Sequence, residues 1–267
     1  MPAKKPKWAI DRDRARKAGP ETVWLFGLHA VRDALENPNR DKHRLIVTKN
    51  AADRLSDAIA SSGIEPELAD PRKFPAPLDP QSVHQGAALE VAVLDWGSLQ
   101  DVCTPTPEVP APVVVLLDRV TDPHNVGAIL RSAEVFGASA VIAPRRHAAP
   151  ETGALAKSAS GALERQPYLR VPNLGNAMQV LTEMGFEIIG LDGTGTVDLD
   201  DALRLQSPRP IGLVFGAEGP GLRDRTKSLC SAVARIESFG AFGSLNVSNA
   251  VAVSLHAYNL LNRKKFS

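Results

Sequence analysis

Val113-Val114-Val115-Leu116-Leu117 is a run of five apolar residues with no polar alternation, set near the middle of a 267-residue chain. A strand that is wet on one face alternates apolar with polar residues. An unbroken, β-branched run is covered on both faces, as in a parallel sheet between layers of helices. Immediately downstream, Val126, Ile129, Leu130, Ala133 and Phe136 recur at the spacing of one helical face. Ala140-Val141-Ile142 then reads as a strand, Met178 to Met184 as a helix and Gly185-Phe186-Glu187-Ile188-Ile189-Gly190 as a strand. Ile211-Gly212-Leu213-Val214-Phe215 and Ala232-Val233-Ala234-Arg235-Ile236 are strands flanking a segment from Leu222 to Leu229. The expected fold class is therefore α/β with a mostly parallel sheet. Ligands in such sheets sit at the carboxyl ends of the strands.

Upstream of the run lies a smaller α/β pattern. Val23-Trp24-Leu25-Phe26-Gly27 leads into an amphipathic segment with Val31, Ala34 and Leu35. Leu45-Ile46-Val47-Thr48 and Ala87 to Leu94 read as strands, and Ala51 to Ser62 as a helix. Residues 104–112 carry four prolines without periodicity, a stiff linker. The expected organisation is a basic arm at 1–20, a small domain at 21–96, a linker at 97–111 and a larger domain at 112–267.

At 43% hydrophobic and 23% charged residues the composition is that of a soluble globular protein. No apolar run approaches the roughly 18 residues of a membrane helix, and the basic start has no apolar stretch behind it, so it does not read as a secretory signal. Cys103 and Cys230 show neither metal-type spacing nor a disulfide framework, which implies a reducing, cytoplasmic setting. The net charge of +1 argues against a protein that coats nucleic acid. Locally, Lys4, Lys5, Lys7, Arg12, Arg14, Arg16 and Lys17 crowd the start, Arg145-Arg146 form a doublet, and Arg263-Lys264-Lys265 lie near the end. Such clusters meet phosphate, or simply keep the ends soluble.

Three strand ends carry unusual residues. In Asp118 to Arg131, Asn125 stands where a helix cap belongs, with Gly127 permitting close approach, and Arg131 could pair with Glu134 one turn on. In Phe215-Gly216-Ala217-Glu218-Gly219-Pro220-Gly221-Leu222, three glycines surround one carboxylate; Glu218 either meets a ligand's donors or sits near a helix start. In Gly240-Ala241-Phe242-Gly243-Ser244-Leu245-Asn246-Val247-Ser248-Asn249-Ala250, a polar glycine loop feeds the last helix, and Ser244 or Asn246 would at the least cap it. That helix is apolar on several faces. Val251, Leu255 and Tyr258 lie on one side and Val253, Ala257 and Leu260 on others, which demands cover from layers or subunits. There is no phosphate loop, zinc cluster or early G-x-G-x-x-G fingerprint.

The motifs N-x-G-x-I-x-R, F-G-x-E-G-x-G-L and S-L-N-V-S-x-A, in that order over residues 111–262, resemble the three signatures of the SpoU (TrmH-type) RNA ribose 2′-O-methyltransferases. These belong to the SPOUT superfamily, whose C-terminal domain holds a trefoil knot. The smaller unit is similar to that family's L30e-like substrate-binding domain through Phe26-Gly27-Leu28-His29-Ala30-Val31 and His84-Gln85-Gly86. The two-domain layout looks most like the 23S rRNA guanosine 2′-O-methyltransferases of the RlmB type.

The resemblance implies S-adenosyl-L-methionine as cofactor and no metal. It implies cofactor contacts at Gly216, Ile236 and Leu245, with Leu191 and Gly219 beside them, and a homodimer packed through the larger domain. It makes Arg131 the central catalytic residue, with Asn125, Glu218, Ser244 and Asn246 around it. Because a guanidinium essentially does not deprotonate, Arg131 suits a developing alkoxide or a neighbouring phosphate better than a base role. His29, His84 and Gln85 read RNA or are structural. One departure stands out: the family usually has Ile-Pro-Met where this chain has Ile236-Glu237-Ser238. The competing readings are a tRNA 2′-O-methyltransferase, a non-catalytic RNA-binding ribosome-assembly protein, and a Rossmann-type dinucleotide enzyme.

Overall fold

The computed structural model describes residues 21–206, 209–240 and 243–263. The basic arm at 1–20 lies outside the described residues, as do Lys264 and Lys265. The chain divides into two compact units that meet in sequence between Leu94 and Asp95.

In the first unit, β1 (Thr22–Phe26), β2 (Lys42–Val47), β3 (Pro66–Leu68) and β4 (Ala87–Ala92) form a sheet in the order β1-β4-β2-β3. β4 runs antiparallel to both of its neighbours, and β2 and β3 are parallel. Helix α1 (Leu28–Glu36) buries Leu28, Val31, Ala34 and Leu35, the face that its spacing requires. Its start, at Gly27, has no side-chain cap of its own, and Gln85 Oε1 accepts the Leu28 amide at 3.1 Å instead. The helix expected over Ala51 to Ser62 is broken in two, α2 (Lys49–Arg54) and α3 (Ser56–Ser62). The break falls at Leu55, which leaves helical geometry (φ −109°, ψ 9°) with its side chain buried.

In the second unit, α4 (Leu99–Cys103) lies within the segment read as linker. Ser98 and Asp101 close a capping box around its start, and buried Cys103 joins a core with Val114, Leu116 and Met178. Then follow β5 (Val113–Asp118), α5 (Pro123–Phe136), β6 (Ala140–Pro144), α6 (Gly153–Ala159), β7 (Tyr168–Val171), α7 (Leu174–Glu183) and β8 (Glu187–Leu191). The chain continues through β9 (Val197–Asp198), α8 (Leu199–Gln206), β10 (Ile211–Gly216), α9 (Asp224–Lys227), β11 (Ala232–Arg235) and α10 (Val247–Arg263). The strands join in the order β7-β6-β5-β10-β8-β11-β9, every pair parallel. All six residues of β5 are buried, and the five that precede Asp118 form the unbroken apolar run that a strand between two helical layers requires. Each such Val or Leu contributes about 1.5–3 kcal/mol by leaving water.

Parallel strands share one carboxyl edge. Here that edge gathers Asp118, Leu191, Gly216 and Arg235, and the loops that leave from them build the site. α10 packs back on α5, α8 and β10. It buries Val247, Val251, Ser254, Leu255 and Tyr258, and leaves Val253 and Leu260 nearly half exposed.

Candidate active site

The first strand end is pinned from below. The Asp118 carboxylate is buried, and it accepts from Arg223 Nη2 at 2.6 Å, Arg223 Nε at 2.9 Å and Thr226 Oγ1 at 2.6 Å. This ties the start of α9 to the end of β5. α5 then begins with Pro123, and Asp122 is its cap, accepting the His124 amide at 2.9 Å. Asn125 is therefore not the cap but lies in the first turn, and its side chain is used elsewhere. Gly127 does allow a close approach, but of protein: a Cβ there would lie 2.5 Å from that of Ser158.

Asn125 Nδ2 donates to Glu218 Oε1 at 3.1 Å, and Asn125 Oδ1 accepts from Asn246 Nδ2 at 3.0 Å. Asn246 Nδ2 also donates to Glu218 Oε1. One residue from each of the three motifs thus meets in a closed network. Asn246 has a second task, since its Oδ1 accepts the Ser248 amide at 2.9 Å and the Ser248 hydroxyl at 2.6 Å in the first turn of α10. It caps the helix with one end of its amide and serves the network with the other. Glu218 is not at a helix start, because α9 begins at Asp224.

Arg131 is exposed on α5, and among the described residues no hydrogen bond or ion pair holds its guanidinium. The expected partner, Glu134, pairs with Arg165 instead. Arg131 is neither in the network nor on the wall of the cleft beside it.

That cleft has a volume of about 780 Å³. Four loops line it: Leu191 to Thr194, Phe215 to Gly221, Ile236 to Ser238 and Gly243 to Val247, with Lys227 and Ala250. Gly216, Gly219, Leu191, Ile236 and Leu245 are all on its wall, and so are Glu218, Ser244 and Asn246. Gly216 is required sterically, because a Cβ there would lie 2.1 Å from the Gly221 carbonyl carbon. Glu237, where the family pattern has proline, is exposed on the cleft wall.

Sequence reading did not single out Asp192. Its carboxylate accepts the Thr194 hydroxyl at 2.6 Å, the Thr194 amide at 3.0 Å, the Leu222 amide at 3.1 Å and Lys227 Nζ at 3.0 Å. Burial by itself would raise its pKa. The hydrogen bonds from Thr194, Lys227 and Leu222 outweigh that and hold the carboxyl well below the usual carboxylate range. Asp192 joins the loop after β8 to the loop after β10, so it shapes two walls of the cleft. The available signal was an Asp-Gly-Thr turn directly after a strand. Among the described residues, no group of three or more His, Cys, Asp or Glu could hold a metal ion.

Comparison with known proteins adds independent findings. Residues 112–256 match the model of the SpoU rRNA methylase family, and residues 24–95 match that of the RNA 2′-O ribose methyltransferase substrate-binding domain. The 23S rRNA (guanosine-2′-O-)-methyltransferase RlmB of Photorhabdus laumondii is 37% identical over 241 residues, covering 86% of this chain and 95% of that protein. An uncharacterized tRNA/rRNA methyltransferase of Synechocystis is 35% identical over 265 residues, and there the match spans 96% of this chain and 66% of that protein. In fold, the chain is similar to the SpoU methyltransferase AviRb from Streptomyces viridochromogenes, crystallised with AdoMet. The TM-score is 0.77 at 23% identity, covering 95% of this chain and 93% of the other. No helix among the described residues is long and apolar enough to cross a membrane.

Proposed function

Because this chain belongs to the SpoU rRNA methylase family, we propose that it transfers a methyl group from S-adenosyl-L-methionine to a ribose 2′-hydroxyl of RNA, and that the target is a guanosine of 23S rRNA. The observation that carries the reading is the meeting of Asn125, Glu218 and Asn246 at the mouth of a glycine-walled cleft. The 23S target rests on the RlmB relatives, of which the Photorhabdus protein is matched over nearly its full length. Action on ribosomal RNA also fits a cytoplasmic protein.

The cleft suits the cofactor. A volume of about 780 Å³ lies within the range of small-molecule sites. Backbone bared at Gly219 offers an amide and a carbonyl without side-chain obstruction, and Gly216, closed against Gly221, keeps its own backbone on the wall. Leu191, Ile236 and Leu245 would add apolar walls and backbone contacts, and the carboxylates of Glu218 and Glu237 suit a cationic ligand. When bound, S-adenosyl-L-methionine supplies an electrophilic methyl on a sulfonium.

The chain's own residues must do the rest. The ribose hydroxyl loses its proton as its oxygen takes the methyl, so negative charge develops there. Arg131, always charged and bound to no neighbouring side chain, is suited to stabilise that oxygen or to clamp the adjacent phosphate with its planar fork. Asn125, Glu218 and Asn246 position the ribose, and Ser244 lines its approach. Since Arg131 does not line its own chain's cleft, its role calls for a homodimer in which it serves the partner's cleft. The apolar surface of α10 at Val253 and Leu260 is the natural contact. The loops around the cleft would form the trefoil knot of the superfamily.

The test is incubation with labelled S-adenosyl-L-methionine and, separately, undermethylated 23S rRNA and tRNA. Label is expected in 23S rRNA and not in tRNA. Label in tRNA alone would move the reading to a tRNA enzyme; label in neither would favour a non-catalytic RNA-binding protein. In the same assay Arg131→Ala should lose about 100-fold or more in transfer with cofactor affinity unchanged.

A further inference from the structure

The first unit has its own cleft, of about 610 Å³, at the carboxyl ends of β2 and β3. Thr48, Lys49, Asn50, Asp53, His84 and Gln85 line it, with Gly86 and Pro71 at the edge. Its chemistry is mixed: one aromatic ring, one exposed ammonium, one carboxylate, and several short polar groups.

The ring is built as a platform. His84 stacks on Phe74 with centroids 4.2 Å apart and planes at 21°. His84 lines the cleft and Phe74 does not, so Phe74 backs one face of the imidazole and leaves the other toward the cavity. His84 Nδ1 accepts the Gly86 amide at 3.1 Å, which fixes the ring. The backbone around it is held as well. Gln85 adopts φ +55°, unfavourable for a residue with a Cβ, while its side chain is spent on the Leu28 amide. His84 itself is bonded through its amide to Ser82 and through its carbonyl to Ala87.

The charged groups at the cleft and just beyond it are of both signs, with a small positive excess. Lys49 is exposed on the wall, and the turn that starts at Pro71 presents Arg72 and Lys73, both exposed. Asp53 is on the wall too, while the nearby Asp70 is engaged by the Arg72 amide at 2.8 Å.

We propose that this cleft takes one unpaired nucleotide of the RNA substrate, its base stacked on His84 and its phosphate met by Lys49, with Arg72 and Lys73 of the turn beyond Pro71 available to the neighbouring phosphate. The inference rests on the reading of the chain as an RNA enzyme, and adds where and in what form the RNA is gripped. A base inside a duplex has both faces covered by its neighbours and has none to offer a ring in a cavity. An unstacked base has a free face, and single-stranded RNA is bound through such aromatic stacks together with backbone charge. Asn50 and Asp53 supply an acceptor and donor edge for the base.

The test uses the full chain and a short single-stranded RNA carrying one 2-aminopurine, with the blunt duplex of the same sequence beside it. The wild type is expected to bind the single strand, quench its fluorescence, and bind the duplex much more weakly. His84→Ala should weaken binding about 5- to 100-fold, the range of one base–aromatic stack, and lose the quenching; His84→Phe should restore both. Lys49→Ala, an exposed change that does not threaten folding, should reduce the slope of log affinity against log salt by about 0.7. Cofactor binding should be unchanged in all three. Wild-type binding by His84→Ala, or equal binding of duplex and single strand, would overturn the proposal. The two readings fail separately. A chain that binds the oligonucleotide through His84 but methylates no RNA would sink the methyltransferase reading alone. Normal rRNA methylation with an unaltered KM in His84→Ala would sink this cleft alone.

Discussion

Asp192 and Glu218 follow neighbouring strands of one sheet, β8 and β10, and both line the same cleft, yet their surroundings are opposed. The Asp192 side chain is 7% exposed and takes hydrogen bonds from Thr194, Leu222 and Lys227. Glu218 is exposed, and its bonds run through one oxygen to the amides of Asn125 and Asn246. A carboxylate saturated by donors and shut from water holds loops together. A carboxylate that is open and held by two amides keeps one oxygen turned to neither of them. The residue that is hard to see in the sequence joins two walls of the cleft, and the conspicuous one joins the three motifs.

The contrast breaks most visibly at Glu218. Glu218→Ala should leave the melting temperature within a few degrees of wild type and lower methyl transfer about 10- to 100-fold, by releasing two positioned amides. Unchanged kcat and KM would make the network a structural ornament of the loops. Asp192→Asn should do the reverse. Loss of a charged acceptor from a buried network costs about 1–3 kcal/mol, a fall of roughly 2–10 °C in Tm for a unit of this size. Its pH dependence has a definite sign. The folded pKa is depressed, so the stabilisation is fully present above the unfolded pKa and is lost progressively from there as pH falls through the folded value. The gap between wild type and variant should therefore be full above the range where ordinary carboxylates titrate, begin to narrow within it, and close only in stronger acid. A gap that closes near pH 4 would show the Asp192 network to be loose. The smallest effect belongs to Glu237, exposed on the wall in place of the family's proline. Glu237→Ala should change cofactor affinity by less than about 3-fold, as a rim charge screened by water does; a larger loss would give that carboxylate a direct hand in binding.

How much of this was legible depended on whether the decisive contact was local. The alternation of strands and helices was readable because β5 and β10 are uninterrupted apolar runs, which only a covered parallel sheet accommodates. The strand ends were readable because glycine and short polar side chains cluster there for reasons of backbone approach. Asn125 shows the limit. Its position one turn into a helix suggested a cap, but Asp122 three residues earlier has the better geometry, and that freed the Asn125 amide for partners 93 and 121 residues away. Asp192 showed only its local half, the Asp-Gly-Thr turn, since its other partners Leu222 and Lys227 arrive from another strand's loop. The short strand β7, with Arg170 in its middle, and the helix α6, with three alanines, offer too little periodicity to read. The segment after Trp96 looked like pure linker because of its prolines, although Ser98 and Asp101 spelled the capping box of α4. In the first unit, the break at Leu55 follows from burial of its side chain, which no helical periodicity announces.

The central claim is the position of the transferred methyl, and alkaline hydrolysis of the labelled RNA tests it most directly. A methyl on the 2′-oxygen removes the nucleophile that cleaves the neighbouring phosphodiester. The account predicts that the label is recovered in an alkali-resistant dinucleotide whose 5′ residue is a methylated guanosine from 23S rRNA. Label recovered in an alkali-sensitive mononucleotide, with the methyl on a base, would contradict it.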